Sequence, residues 1–164
     1  MVEPILDLDY WAERMRTAKE EHHAIYRCPL DQWRRIEDRH RQILAQHIRS
    51  HESVLDAGCG WGRLLDLMPK RWIGGYCGVD LSPDFIATAR CRWPIFEFHE
   101  GDLRNVLPKF PPAIYEWGVM ISMRPMVKRN LGDEVWAKME AQIRRVARRL
   151  LYLEYDEADR GSIE

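Results

Sequence analysis

The feature that most constrains this chain is a short apolar stretch that runs directly into a glycine-rich loop. Residues 53–57 read Ser-Val-Leu-Asp-Ala, and glycines follow at alternate positions, Gly58, Gly60 and Gly62. Without a Cβ, glycine lets the backbone turn sharply and come within contact distance of a ligand. A helical pattern over residues 61–68 comes next, and the N–H groups at a helix start suit a carboxylate or a phosphate. The segment therefore predicts the strand–loop–helix unit of a ligand-binding α/β domain.

From residue 53 onward the chain alternates short apolar runs with amphipathic stretches. This alternation is typical of a mainly parallel sheet with crossover helices. We predict strands over residues 53–57, 76–80, 95–99, 114–122 and 150–155. We predict helices over residues 61–68, from Pro83 onward, and over residues 133–148.

The first third of the chain carries apolar residues at helical spacing. One helix is predicted over residues 10–23 and a second from Pro29 to Ile48. A chain of 164 residues has room for one compact unit, so we expect a helical cover over residues 1–52 and the sheet domain over residues 53–164. Residues 14–27 either fold over the ligand as a lid or simply pack on the sheet, and the sequence leaves both open.

Two acidic residues follow the second and third predicted strands. Asp80 closes one strand beside Leu81, and Asp102 and Leu103 come after the other. The carboxyl ends of parallel strands meet at one edge of a sheet, where an acid at the second strand can accept both hydroxyls of a ribose. Asp102 can accept from an adenine amino group while the next backbone N–H donates to a ring nitrogen. Singly, either acid could be a turn or cap residue; together with the glycine loop they predict an adenosine site.

This constellation resembles the class I S-adenosylmethionine-dependent methyltransferases over residues 53–156. The resemblance implies a Rossmann-like α/β fold, with an open sheet of about five strands in the order 3-2-1-4-5 and helices on both faces. It also implies S-adenosylmethionine as cofactor, with Asp56 holding its ammonium group directly or through water. The cofactor-binding residues it assigns are Asp56, Ala57, Gly58, Cys59, Gly60, Asp80, Leu81, Asp102 and Leu103.

Competing nucleotide-binding patterns fit the glycine loop less well. Dinucleotide-binding domains carry GxGxxG, but the sixth position from Gly58 is Arg63, and the third glycine falls one place early at Gly62. The chain contains no GxxxxGK[ST] phosphate loop. The spacing therefore favours the methyltransferase interpretation.

The sequence departs from the family in two places. Residues 114–124 lack the Asn/Asp-Pro-Pro-aromatic signature of enzymes that methylate exocyclic base or glutamine nitrogens, which disfavours that group. Only nine residues follow Tyr155, where the family's sheet usually continues with an antiparallel strand pair. We therefore expect a sheet truncated after strand five. A homo-oligomer or the N-terminal helices would then cover its edge.

The formal net charge of −1 gives the chain no overall basic field for nucleic acid. The predicted function is methyl transfer to a small-molecule acceptor. Two alternatives remain: a non-catalytic cofactor-binding module that acts with a partner chain, and an RNA or protein methyltransferase. The latter would use the basic cluster of Arg144, Arg145, Arg148 and Arg149.

No catalytic residue is assigned from the sequence. Candidate bases are His22, His23, Tyr26 and His99. The four cysteines form no CxxC pair, so we expect no metal site and reduced thiols in a cytoplasmic protein. The sequence contains no apolar run of the roughly 18 residues that span a bilayer, so no membrane partner is expected.

Overall fold

The computed structural model describes residues 8–19, 21–24, 26, 28–72, 74–155 and 162–163. In these residues six strands form one sheet in the order β3-β2-β1-β4-β5-β6. The strands are β1 (Val54–Ala57), β2 (Tyr76–Asp80), β3 (Glu97–Glu100), β4 (Tyr115–Ile121), β5 (Ala147–Leu153) and β6 (Ser162–Ile163). The first five are parallel, which confirms the predicted order 3-2-1-4-5. The two-residue β6 pairs antiparallel with β5, so the sheet extends one strand beyond the predicted end.

Helices cover both faces of this sheet, as predicted. One face packs against α2, α3 and α4, and the other packs against α5, α6 and α7. Because successive strand residues point to opposite faces, each buried strand contributes to both cores. The helices are α1 (Leu8–Thr17), α2 (Leu30–His47), α3 (Arg63–Leu67), α4 (Pro83–Arg92), α5 (Leu103–Val106), α6 (Met123–Leu131) and α7 (Asp133–Val146), with 3₁₀ turns at Glu21–Ala24 and Leu107–Lys109.

The N-terminal region differs from its prediction. The helix predicted over residues 10–23 ends at Thr17, and a separate 3₁₀ turn, Glu21–Ala24, carries His22 and His23. The Arg14 guanidinium donates to the carbonyl oxygens of His23 and Ala24, at 3.0 and 2.8 Å. These bonds fold the turn back against α1, which a continuous helix would not allow.

Strand ends account for two other differences. Ile95, predicted within the third strand, is 85% exposed and lies in the turn before β3. The predicted helix over residues 133–148 ends at Val146, and β5 begins at once with Ala147 paired to Tyr115. Ala147 and Arg148 were predicted to end the helix, but pairing of this segment with the buried strand β4 draws them into the sheet.

The structure also contains a helix, α6, that the sequence pattern did not predict. In α6 only Met123 and Val127 are buried, and basic residues surround them, so the apolar stripe is narrow. Pro125 lies in the first turn, where a backbone N–H has no helical partner to lose. This helix stands over the carboxyl end of the sheet, directly opposite the glycine loop.

Candidate functional site

A cavity of about 1350 Å³ lies at the carboxyl ends of the parallel strands. It has two dissimilar sides. The sheet wall consists of Gly58, Gly60, Val79, Asp80, Leu81, Gly101, Asp102 and Leu103. The helical wall consists of Tyr10, Trp11, Arg14, Tyr26 and residues 123–129.

The glycine loop forms the centre of the sheet wall. Gly58 and Gly60 adopt φ angles of +80° and +55°, which residues with a Cβ rarely adopt. The Gly58 N–H donates to the Val79 carbonyl oxygen at 2.8 Å. A Cβ on Gly58 would lie 2.2 Å from the sulfur of Met123 in α6. The two walls therefore meet at Gly58, where the positive φ favours glycine and a Cβ would displace the Met123 side chain.

Asp80 fixes the loop from the end of β2. Its Oδ2 accepts from the Gly60 N–H at 2.8 Å, and its Oδ1 accepts from the Ser82 N–H at 2.9 Å. Burial raises the pKa of Asp80, and these backbone hydrogen bonds oppose that shift. A carboxylate oxygen accepts about two hydrogen bonds, so each oxygen retains capacity for a ligand hydroxyl.

Asp102 and Leu103 lie at the end of β3, where α5 begins. Asp102 caps α5 by accepting from the Arg104 N–H at 2.8 Å, and its Oδ2 lies 2.6 Å from Nη2 of the same arginine. The Arg104 hydrogen bond holds the pKa of Asp102 below its ordinary value. Asp102 is therefore a helix cap, which was one of the two roles that the sequence left open, and it also lines the cavity. The pairing with Arg104, two residues away, was missed.

Three of the predicted cofactor-binding residues are buried and lie outside the cavity lining: Asp56 and Ala57 at the end of β1, and Cys59 within the loop. The Tyr76 hydroxyl donates to Asp56 Oδ2 at 2.7 Å. Burial raises the pKa of Asp56 to about 7, while the Tyr76 bond acts in the opposite direction. The other six predicted residues, Gly58, Gly60, Asp80, Leu81, Asp102 and Leu103, all line the cavity.

The helical wall is held by side-chain contacts. The ring of Tyr26 stacks on Tyr155 with centroids 5.0 Å apart, and Trp11 lies 5.8 Å from Phe85 of α4. The Arg124 guanidinium lies over the Tyr152 ring at 4.4 Å. The cationic side chains that line this part of the cavity are Arg14, Arg124, Lys128 and Arg129. The sheet wall therefore carries the two acids Asp80 and Asp102, and the helical wall carries four cationic side chains; Glu154 adds one further carboxyl group to the lining.

Of the four candidate bases, Tyr26 is the one that lines the cavity. His22 and His23 contact the Cys28 carbonyl oxygen at 3.0 and 3.3 Å, and His99 bonds Glu97 at 2.6 Å. These three imidazoles lie outside the lining, which the sequence could not reveal.

The four arginines of the basic cluster at the end of α7 make hydrogen bonds and ion pairs within the chain. Arg144 pairs with Glu140 at 3.0 Å, and Arg145 donates to the carbonyl oxygens of Leu107 and Phe110. Arg149 pairs with Glu52 at 2.5 Å and covers the ring of Trp117, while Arg148 lies 3.4 Å from Glu116. These arginines stabilise the end of α7 and the start of β5.

The fold and cavity define a Rossmann-like α/β domain with a ligand cavity at the carboxyl ends of its parallel strands. A family model described as a methyltransferase domain matches residues 54–149. The chain belongs to this methyltransferase family. The match runs from β1 into β5 and includes the whole sheet wall.

Curated relatives agree with this assignment. A trans-aconitate 2-methyltransferase of Escherichia fergusonii is 36% identical over an alignment of 121 residues, and the alignment covers 70% of this chain and 40% of that protein. The enzyme of the same name from Escherichia coli O7:K1 is 35% identical with the same coverage. The chain thus spans about 40% of the length of these relatives.

Solved structures share the fold at low sequence identity. A TehB-like SAM-dependent methyltransferase from Corynebacterium glutamicum superimposes with a TM-score of 0.55 at 21% identity, covering 74% of this chain and 68% of that one. A SAM-dependent methyltransferase from Archaeoglobus fulgidus gives 0.57 at 20% identity, covering 71% and 50%. Among the helices that the structure describes, none is long and apolar enough to cross a membrane.

Proposed function

We propose that this chain binds S-adenosylmethionine along the sheet wall and transfers its methyl group to a small acidic acceptor held by the helical wall. One observation carries the proposal: a single cavity joins a glycine loop braced by Asp80 to a wall with four cationic side chains. On this view residues 1–52 serve as the cover of the site and residues 53–164 as its cofactor-binding domain.

The residues present fit the adenosine part of the cofactor. Asp80 faces the cavity with acceptor capacity for ribose hydroxyls, and Leu81 and Leu103 offer apolar surface for an adenine ring. Asp56 lies behind the loop, so any contribution to an ammonium group passes through water or through the loop. When bound, S-adenosylmethionine supplies an activated methyl group that needs an aligned nucleophile. Alignment is the chain's part of catalysis, and positioning alone can account for much of a rate enhancement.

The basic helical wall argues for a carboxylate acceptor. Guanidinium groups bind carboxylates through paired hydrogen bonds, and Arg124 borders the cavity half-buried. Arg14 adds its positive charge, although its guanidinium already donates to the carbonyl oxygens of His23 and Ala24. A carboxylate is ionised near pH 7, so its oxygen attacks without a general base. The three candidate histidines lie outside the cavity lining, which suits an acceptor that needs no general base. The names of the curated relatives point the same way, because trans-aconitate carries carboxylates.

Calorimetric titration of the chain with S-adenosylmethionine, S-adenosylhomocysteine and NAD tests the cofactor. We expect both sulfur ligands to bind and NAD to bind more weakly; tighter binding of NAD would contradict the proposal. Release of S-adenosylhomocysteine is then measured with carboxylic acids, including trans-aconitate, each paired with its primary amide. Turnover of the acids over the amides is expected, and equal turnover of both would contradict the carboxylate acceptor.

The same assays separate the alternatives. A non-catalytic module would bind the cofactor and release no S-adenosylhomocysteine with any acceptor. An RNA methyltransferase would bind RNA with a steep dependence on salt. The contacts of the basic cluster within the chain speak against this second alternative.

A further inference from the structure

We infer that β2 and β3 carry a binding site for one divalent transition-metal ion, best suited to Zn²⁺, formed by Cys77, Glu97 and His99. The ligand atoms of these three side chains all lie within 4.8 Å of one another. The site lies on the sheet, away from the cavity lining. The inference does not depend on the proposed function.

Parallel register brings the three side chains together. Cys77 of β2 is paired with Glu97 of β3, and His99 is two residues further along. Since alternate residues share one face of a sheet, Glu97 and His99 lie on the same face as Cys77. Phe98, between them, is buried in the core of the opposite face. The cysteine and the histidine are 22 positions apart, which is why the absence of a CxxC pair led us to expect no metal site.

The donor set suits zinc. Thiolate, imidazole and carboxylate are the three protein donors of zinc sites, with bonds of roughly 2.0–2.3 Å. If the three ligand atoms were 4.8 Å apart, an ion at their centre would lie about 2.8 Å from each. Each ligand atom would then need to move by under about 1 Å, through side-chain rotation, to reach bonding distance. Three protein ligands leave a fourth position for water. Binding forms a metal–sulfur bond and releases the thiol proton to solvent.

The surroundings orient the ligands and leave an entrance. The Phe110 ring packs edge-on against the His99 ring, with the two centroids 5.1 Å apart. Cys77 is buried, whereas the side chains of Glu97 and His99 are 61% and 34% exposed. Within the described part of the chain, Glu97 and His99 bond each other and pair with no lysine or arginine. An ion can therefore reach Glu97 and His99 from solvent, where it must displace their mutual hydrogen bond and the thiol proton of Cys77.

Titration of the reduced full chain with Co²⁺, followed by Zn²⁺, tests the site. Cobalt is the probe because a cobalt–thiolate bond gives a charge-transfer band and a tetrahedral site gives intense visible bands. We expect one equivalent to bind with both signals, Zn²⁺ to displace it, and the melting temperature to rise with Zn²⁺. Absence of the thiolate band in the wild-type chain would overturn the proposal.

Variants assign the ligands. His99→Ala and Glu97→Gln lie on the accessible edge strand, and each should weaken Co²⁺ binding at least tenfold. Cys77→Ser should remove the charge-transfer band. The matched controls, Cys91→Ser and His51→Ala, change exposed residues outside the site and should leave binding unchanged. Unaltered affinity in His99→Ala, or a band that survives Cys77→Ser and disappears in Cys91→Ser, would overturn the assignment.

Discussion

The two walls of the cavity are held in place by different means. The sheet wall is set mainly by the loop backbone: the Gly58 N–H donates to the Val79 carbonyl oxygen, the Gly60 N–H donates to the Asp80 carboxylate, and the buried parallel strands fix these positions. The helical wall depends on side chains, such as the stacked rings of Tyr26 and Tyr155. The difference separates two functions that can be perturbed independently. Changes in the sheet wall should alter cofactor binding, and changes in the helical wall should alter the acceptor.

The largest expected effect is that of Gly58→Ala, at the point where the walls meet. The left-handed φ costs of order 1–3 kcal/mol, and the new Cβ would also collide with Met123. We expect a loss of stability and at least a hundredfold weaker cofactor binding, measured by thermal melts and calorimetry. Gly132→Ala is the matched control, because Gly132 has φ +91° with nothing within 4 Å of a Cβ. Equal effects of the two variants would show that the walls do not meet as described.

Asp80→Ala should weaken cofactor binding roughly ten- to hundredfold, since a hydrogen bond to a charged group contributes about 1.5–3 kcal/mol. The variant removes the acceptor for the ribose and the brace on Gly60. Titration with S-adenosylhomocysteine measures the effect, with the exposed Asp84→Ala as control. An unchanged dissociation constant would show that Asp80 stabilises the turn and does not bind the cofactor.

Arg124→Met should act on the acceptor alone. Methionine keeps an apolar stem over Tyr152 but removes the charge, so KM for an acidic acceptor should rise about tenfold. The affinity for S-adenosylhomocysteine should not change, and Lys138→Met, on the exposed face of α7, should change neither. A parallel loss of cofactor affinity would contradict the separation of the walls.

A smaller effect concerns the free energy of unfolding at acidic pH, to which the buried His40 contributes. His40 Nε2 donates to the Glu154 carbonyl oxygen at 2.7 Å, and its Nδ1 lies 3.4 Å from Arg63. Burial, followed by the charge of Arg63, lowers the pKa of His40 from 6.5 to about 3. The unfolded chain therefore binds a proton that the folded chain does not, and stability falls as pH drops below about 6.5 towards 3.

Comparison of the wild-type chain with His40→Gln isolates the contribution of His40 to this pH dependence. Burial raises the pKa of Asp56 to about 7, which gives stability the opposite slope, but Asp56 is present in both proteins. Between pH 7 and 5.5 the wild-type chain should lose about 1 kcal/mol of unfolding free energy relative to the variant. Chemical denaturation at each pH measures it, and parallel curves would mean that His40 is not buried as a neutral imidazole.

The same contrast explains what the sequence could predict. Glycines at 58 and 60 and acids at 80 and 102 mark the sheet wall locally, because each follows its own strand. The helical wall has no such mark: α6 buries only two side chains, and the cationic role of Arg124 depends on where packing places that helix. The cluster at Cys77 likewise arises from strand pairing, which a linear spacing rule does not detect.

A crystal structure of the chain with S-adenosylhomocysteine tests the division of the cavity most directly. We expect the ribose hydroxyls on Asp80, the adenine beside Leu81 and Leu103, and the sulfur directed toward α6 and the cationic side chains. A ligand whose adenosine lies against α6, with Asp80 free of the ribose, would contradict the account.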